Sequence, residues 1–154
     1  MTQRLSHRRH SPESYQSLIN FSSTTAKGLE HSLVELVKIR ASQINGCAFC
    51  LAMHSADARE AGETDERMIL LSTWRETPIY TPRERAALAM TEAITLISTT
   101  QDIPDELYAE AAKYFNEKEL VDLVLTIAAI NSFNRLQITF RVPPVTQAAK
   151  IAAD

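Results

Sequence analysis

Residues 29–54 of the chain read LEHSLVELVKIRASQINGCAFCLAMH. The apolar residues of this stretch recur at helical spacing, which predicts an amphipathic helix over residues 28–43. Asn45 and Gly46 interrupt that pattern, and a second helix is predicted over residues 47–61. The stretch therefore predicts two consecutive helices.

The starts of further helices are marked by capping residues. Thr64 can cap a short third helix. Thr81, followed by proline and then by glutamate at the third helical position, predicts a helix that ends near Ser98. Another helix is predicted over residues 102–114, and Asn116 can cap a last, long helix. No segment alternates as a strand would, so the sequence predicts an all-α fold of about six helices.

The last predicted helix is apolar on more than one side, because it contains VDLVLTIAAI at residues 121–130. Such a helix is either central in its own bundle or partly buried against another subunit, and we predict a homo-oligomer. Polar residues follow this run: Asn131, Asn134 and Arg135. We interpret them as helix–helix or subunit contacts, with a place in the functional site as the alternative.

The length and net charge of the chain limit the classes of protein to which it can belong. A chain of 154 residues fits one domain, and its net charge of -3 offers no basic field for nucleic acid. The basic start is followed by SPESYQS, where a secretory signal needs an apolar region. No apolar run approaches the roughly 20 residues that span a bilayer. We therefore predict a cytoplasmic protein with neither nucleic acid nor membrane as a partner.

The chain divides into two parts by composition. Residues 1–27 are polar and are predicted to form an N-terminal arm, and residues 28–145 are predicted to form the helical domain. The last dozen residues, 143–154, begin with two prolines. Both ends of the chain are expected to be loosely structured or dependent on a partner.

Cys47 and Cys50 form a CxxC pair at the start of the second predicted helix. In the cytoplasm free thiols stay reduced, so a CxxC pair indicates redox or metal chemistry rather than a structural crosslink. Residues three apart on a helix are neighbours on one face, within the Cα range of a disulfide. His54 lies four residues beyond Cys50, on the same face. The stretch predicts a thiol redox centre with an imidazole beside it.

The chemistry of such a centre depends on the thiolate, because the ionised sulfur is what attacks a peroxide oxygen. A cysteine with the ordinary pKa of about 8.5 is only about 3% ionised at pH 7. A histidine neighbour and the positive end of a helix can both raise that fraction. The helix end favours Cys47 as the attacking sulfur, whereas His54 favours Cys50, and the spacing leaves the choice open.

Other interpretations of these residues are available. Zinc normally takes four ligands, and Cys47, Cys50 and His54 supply three, with Glu35 as a fourth. A single histidine on a helix is more often a surface or core residue than a catalytic one. Glu35 falls on a polar stripe of the first predicted helix, which usually means a solvated face. The other members of that stripe are His31, Lys38 and Ser42.

The spacing of four residues resembles the core motif of the alkylhydroperoxidase D-like proteins, within the wider carboxymuconolactone decarboxylase family. That motif has a glutamate, eleven residues, a CxxC pair, three residues and a histidine. Here its positions are filled by Glu35, Cys47, Cys50 and His54. The resemblance implies an all-helical fold that assembles into dimers, trimers or hexamers. It also implies peroxidase activity.

The resemblance assigns a role to each of the four residues. Cys50 attacks the hydroperoxide, and Cys47 resolves the resulting sulfenic acid. His54 and Glu35 form a proton relay. One departure is Phe49, where the best-characterised members have a second histidine, so the relay here is expected to be shorter. The decarboxylase branch works without the cysteine pair, and having both cysteines argues against that activity.

We therefore predict an enzyme, a thiol peroxidase that reduces small organic hydroperoxides through a thiol–disulfide cycle. An external dithiol must reset the disulfide, and a lipoyl-bearing or a thioredoxin-like protein is the expected partner. The resemblance also implies that the electrons pass on to a peroxiredoxin. No cofactor and no bound metal are predicted. The alternatives are a metal-binding or structural helical oligomer and a redox sensor without catalytic turnover.

Overall fold

The computed structural model describes residues 2–145, and over that range the chain is helical throughout, with no β-strand. The predicted all-α fold is confirmed. The helices are, in chain order, α1 His7–His10, α2 Pro12–Ala26, α3 His31–Asn45, α4 Ala48–Glu60, α5 Asp65–Leu70, a 3₁₀ helix Leu71–Glu76, α6 Pro82–Thr95, α7 Ile97–Thr100, α8 Asp105–Ala111 and α9 Glu117–Phe140.

Three predicted capping residues act as caps in the structure. The Thr64 side chain accepts a backbone N–H of the first turn of α5. Thr81 and Glu84 form a reciprocal capping box at the start of α6, and Asn116 and Glu119 form another at the start of α9. Each box satisfies two backbone donors that the helix itself leaves unpaired.

Two predicted helix ends differ from the structure. The helix predicted to reach Ser98 breaks at Leu96, which separates α6 from the short α7. The helix predicted over residues 102–114 is shorter, because α8 ends at Ala111. Helix ends are the least certain part of any sequence-based assignment, since the closing turn lacks intrahelical partners.

The N-terminal residues are more ordered than the prediction of a loose arm. Residues 7–26 form α1 and α2, and α2 packs against α9, where Thr126 donates to the hydroxyl of Thr25 at 3.3 Å. The prediction is wrong there, because a helix that buries one narrow side needs few apolar residues.

The domain boundary at residue 27 stays a prediction. Most of the predicted loose end, residues 143–154, lies outside the described range.

Helices α3, α6 and α9 form the centre of the fold, and each packs against the other two. One apolar cluster lies among them, with Val37, Met90 and Ile127 buried at its middle. A second cluster joins α3 and α6 to the 3₁₀ helix, around Leu36 and Leu88. The last helix is thus central in its own bundle, which is one of the two outcomes its sequence predicts. Assembly into a homo-oligomer stays a prediction.

Membrane crossing requires a helix that is both long and apolar. None of the helices within residues 2–145 has the necessary length and hydropathy.

The turn between α3 and α4 consists of Gly46 and Cys47. Gly46 has a φ of +71°, in the left-handed region that glycine adopts without strain. Its N–H donates to the Gln43 carbonyl at 3.3 Å, and the Cys47 N–H donates to the Ser42 carbonyl at 3.0 Å. These two bonds end α3, and the turn returns the chain so that α4 packs against it.

A buried amide network connects α3, α6 and α9. The Asn45 side chain donates to the side-chain oxygens of Asn131 at 2.9 Å and Asn134 at 2.8 Å. In turn, Asn131 donates to Thr95 at 3.0 Å, and Asn134 donates to Ser42 at 3.0 Å. The interpretation of these two asparagines as helix–helix contacts is therefore confirmed.

Replacing Asn134 with alanine is expected to destabilise the fold by about 2–3 kcal/mol. The side chain is fully buried, and its loss leaves the amide of Asn45 short of an acceptor and the hydroxyl of Ser42 short of a donor. Urea unfolding followed by circular dichroism measures the change. The matched control is Ser132→Ala on the exposed side of α9, expected within about 0.5 kcal/mol of the wild type. Equal midpoints for the two variants would contradict the role of the network.

Candidate functional site

The two cysteines lie at the N-terminus of α4 and are joined by a disulfide, with their Cα atoms 5.4 Å apart. Cys47 is the N-cap of the helix, and the Cys50 backbone N–H donates to its sulfur at 3.3 Å. Both residues are 1% exposed. The predicted side-by-side placement on one helical turn is therefore present, with Cys47 at the positive end of the helix.

His54 follows one turn later on α4 and contacts α3. Its Nδ1 donates to Glu35 Oε2 at 2.8 Å, and both side chains are buried. The Lys38 ammonium donates to the other carboxylate oxygen, Oε1, at 2.9 Å. Because Nδ1 is held by the carboxylate, Nε2 is the nitrogen that can exchange a proton with a sulfur, a peroxide or a water molecule.

The interpretation of the polar stripe of α3 as a solvated face is wrong at its centre. Glu35 is 3% exposed and Ser42 is fully buried, because α4 and α9 pack against this side of α3. His31, at the start of the helix, is exposed as the stripe predicts. A stripe of polar residues at helical spacing therefore marked a contact between helices rather than a surface.

The charge on Glu35 follows from its surroundings. Burial alone would raise the pKa of this carboxyl group. The hydrogen bonds and positive charges of His54 and Lys38 outweigh burial and hold the pKa of Glu35 below its ordinary value. The carboxylate is therefore ionised at neutral pH, and its hydrogen bond to Nδ1 orients the imidazole.

The lowered pKa predicts how stability depends on pH. A depressed folded-state pKa stabilises the fold above the unfolded value, and this contribution is lost as the pH falls from about 4.3 through the lower folded value. Wild type is therefore expected to exceed Glu35→Gln in stability at pH 7, with a difference that shrinks below about pH 5. Urea midpoints between pH 7 and pH 3.5 measure this. The control is Glu76→Gln, at an exposed glutamate. A difference that grows toward acid would refute the expectation.

Two cavities lie beside the disulfide. Cys50 and His54 line one cavity of about 290 Å³, called here the reactive cavity. Cys47 and Gly46 line the other, of about 390 Å³. Phe49 and Gln137 line both cavities. The lining of the reactive cavity thus includes Cys50 and His54 but not Cys47.

The walls of the reactive cavity come from helices distant in sequence. They are contributed by α1, α2, α3, α4 and α9, and the remaining lining residues are Arg8, Tyr15, Ile19, Ser22, Ser23, Lys38, Met53, Ile130, Phe133 and Gln137. No local pattern points to the members from α1, α2 and α9. Lys38, on α3, could be predicted from the sequence, because a lysine three residues after Glu35 on a helix is placed to form an ion pair with it.

A metal could be held by one group of side chains within residues 2–145. Ligand atoms of Glu35, His54 and Asp57 lie within 4.8 Å of one another, with Asp57 exposed. The zinc ligands considered from the sequence are Glu35 and His54 with Cys47 and Cys50 in place of Asp57. In this structure the two cysteine sulfurs are bonded to each other. The four ligands of that set are therefore not free together, and the absence of a bound metal stays a prediction.

Comparison with known proteins agrees with this arrangement. The sequence pattern of the carboxymuconolactone decarboxylase family matches residues 12–93. The chain is also 44% identical over 139 residues to the uncharacterized protein YdfG of Bacillus subtilis (strain 168), covering 90% of this chain and 94% of that one. The matched residues include the whole stretch from Glu35 to His54.

Solved structures share the fold. A protein of unknown function from Agrobacterium tumefaciens, a candidate antioxidant defence protein AhpD, has a TM-score of 0.90 and 36% identity, covering 95% of this chain and 100% of that one. The debrominase Bmp8 has a TM-score of 0.71 and 18% identity, covering 86% and 70%. At that identity the second likeness concerns the fold alone.

Proposed function

The chain belongs to the carboxymuconolactone decarboxylase family, and from that premise we propose that it is a thiol peroxidase that reduces small organic hydroperoxides. One observation carries the proposal. Cys50 and His54 line the same cavity, and His54 is hydrogen-bonded to a buried, ionised Glu35 at 2.8 Å. The likeness to the Agrobacterium tumefaciens protein supports the proposal.

The cycle starts from the reduced pair. The Cys50 thiolate attacks the terminal oxygen of the hydroperoxide, the O–O bond breaks, and the sulfur becomes a sulfenic acid. The leaving alkoxide takes a proton from His54 and departs as the alcohol. Glu35 positions the imidazole for this transfer, since its carboxylate accepts from Nδ1.

Cys47 completes the oxidation. Its sulfur lies next to Cys50 on the same helical turn, at the Cα separation of 5.4 Å that a disulfide tolerates. The Cys47 thiol gives up its proton as its sulfur attacks the sulfenic sulfur, a disulfide forms, and the hydroxyl leaves as water with that proton. This second step also protects Cys50 from further oxidation.

An external dithiol then resets the enzyme by two exchange steps, leaving that dithiol as a disulfide. We expect the partner to be a lipoyl-bearing or a thioredoxin-like protein. Cys47 lines the larger of the two cavities beside the disulfide, whereas Cys50 lines the reactive cavity. If the reductant reaches Cys47 through the larger cavity, the reactive cavity stays open to the hydroperoxide.

The test counts thiols and product in a single turnover. Protein reduced with dithiothreitol and then desalted is mixed with one equivalent of cumene hydroperoxide. We expect two thiols to be lost for each 2-phenyl-2-propanol formed, with the crosslink between Cys47 and Cys50 identified by mass spectrometry. Unchanged thiols together with one tightly held zinc per chain would replace the proposal with the metal-binding alternative.

Multiple turnovers separate an enzyme from a sensor. Lipoamide, dithiothreitol and thioredoxin are supplied in turn as reductants with excess hydroperoxide. Sustained alcohol formation with at least one of them is the expected result. A disulfide that forms once, changes the assembly state and is never recycled by any of the three would assign the protein as a redox sensor.

A further inference from the structure

The N-terminal segment is fixed at the end of α9, beside the reactive cavity. The Arg4 backbone N–H donates to the Phe140 carbonyl at 3.0 Å. The His7 ring stacks on Phe140 with ring centres 5.5 Å apart, and it also contacts Tyr15 at 4.8 Å. The residue that follows His7 is therefore held in a defined place.

That residue is Arg8, which lines the reactive cavity together with Cys50 and His54. Its guanidinium carbon lies 5.1 Å from the ring centre of Tyr15 and 5.8 Å from that of Phe49. Contact with ring faces orients a guanidinium without using its N–H groups as donors. These donors stay available to a ligand.

The charge of Arg8 has no counter-ion in the described part of the chain. Within residues 2–145, no carboxylate oxygen lies within 4.0 Å of its guanidinium nitrogens. The other cation of the cavity, Lys38, is paired with Glu35 at 2.9 Å. Among the residues that the structure describes, Arg8 is thus the cation of this cavity that has no carboxylate partner.

The rest of the cavity is largely apolar. Ile19, Ile130 and Phe133 contribute to its walls, and its volume of about 290 Å³ is close to the lower limit of about 300 Å³ for small-molecule sites. A cavity of this kind fits a small apolar body. A single arginine at its wall adds a preference for an anion, and the planar fork of a guanidinium matches a carboxylate.

We infer that the reactive cavity selects small hydroperoxides that carry a carboxylate on an apolar body. This inference rests on the proposed peroxidase function and names its substrate class. Arg8 binds the carboxylate, the apolar walls bind the body, and the peroxide group lies at Cys50. The carboxylate takes no part in bond making or breaking, so Arg8 determines specificity and is not a catalytic residue.

The test uses two hydroperoxides that differ in one group. Cumene hydroperoxide is neutral, and its para-carboxylated derivative has the same reacting centre and an added carboxylate. The readout is the ratio of kcat/KM for the charged over the neutral substrate, which cancels any general loss of activity in a variant. We expect a ratio of about ten in wild type, which falls as salt is added because the arginine is exposed.

Variants of the arginine identify the source of that ratio. Arg8→Gln is expected to bring it to about one, and Arg8→Lys to an intermediate value, because lysine keeps the charge without the fork. Arg9→Gln, at an exposed neighbour outside the cavity lining, should keep the wild-type ratio.

The outcomes separate this inference from the proposed function. If wild type consumes neither hydroperoxide, the peroxidase assignment itself fails. If it consumes both with a ratio near one, or if Arg8→Gln keeps the wild-type ratio, the peroxidase stands and the carboxylate preference is overturned.

Discussion

Replacing Cys50 with serine is expected to lower the rate of hydroperoxide reduction by about 10³-fold or more, to that of the uncatalysed reaction in buffer. A serine hydroxyl stays protonated at neutral pH and forms no sulfenic acid, so the first bond-making step is lost. The side chain is buried and similar in size, which lets the variant fold. Alcohol formation from cumene hydroperoxide with lipoamide as reductant measures the effect.

The matched variant is Cys47→Ser, which removes only the resolving sulfur. It is expected to consume one equivalent of hydroperoxide and then stop as the Cys50 sulfenic acid. Dimedone labelling with mass spectrometry should place one adduct per chain on Cys50. The opposite pattern, with a labelled Cys47 in the Cys50→Ser protein and no reaction in the Cys47→Ser protein, would reverse the two roles.

Replacing His54 with glutamine is expected to lower the rate of reaction with hydroperoxide by about 10²–10³-fold at pH 7. Part of the loss comes from the thiolate, because a cysteine without a charged neighbour has a pKa of about 8.5 and is about 3% ionised at that pH. The rest comes from the missing proton donor to the leaving alkoxide. Stopped-flow measurement of thiol loss gives the rate constant.

The pH profile shows whether the histidine acts on the chemistry or only on the packing. In His54→Gln the rate should rise by more than tenfold between pH 7 and pH 9, because hydroxide then ionises the thiol directly. The control is His31→Gln, at an exposed histidine on α3, with a wild-type profile. A low rate that stays flat across this range would point to damaged packing instead.

Much of the fold could be predicted because its signals are local. Thr81 and Asn116 start their helices by bonds to residues only three positions away, and such bonds can be found in any window of sequence. Helix α2 gives a weaker local signal, because its N-cap residue Ser11 makes no side-chain capping bond. Its contact through Thr25 is with Thr126, about one hundred residues later.

The residues of the candidate site also fall into two groups, those that local sequence predicts and those that it does not. The spacing from Glu35 to His54 lies within two consecutive helices, so the four motif residues could be proposed from the sequence. The burial of Glu35 could not, because periodicity finds the polar side of a helix and does not reveal what packs on it. Arg8 and Phe133 reach the cavity only through the tertiary fold.

The two-residue turn at Gly46 sets how this protein can diversify. Each residue of a helix advances about 1.5 Å and rotates about 100°, so one residue added to the end of α3 would turn the start of α4, with Cys47 and Cys50, away from its present position against α3. The length of the hairpin formed by α3 and α4 is therefore constrained. The cavity walls on α1, α2 and α9 are not constrained in this way, so we expect single substitutions there to change which molecules fit the cavity without moving the four motif residues.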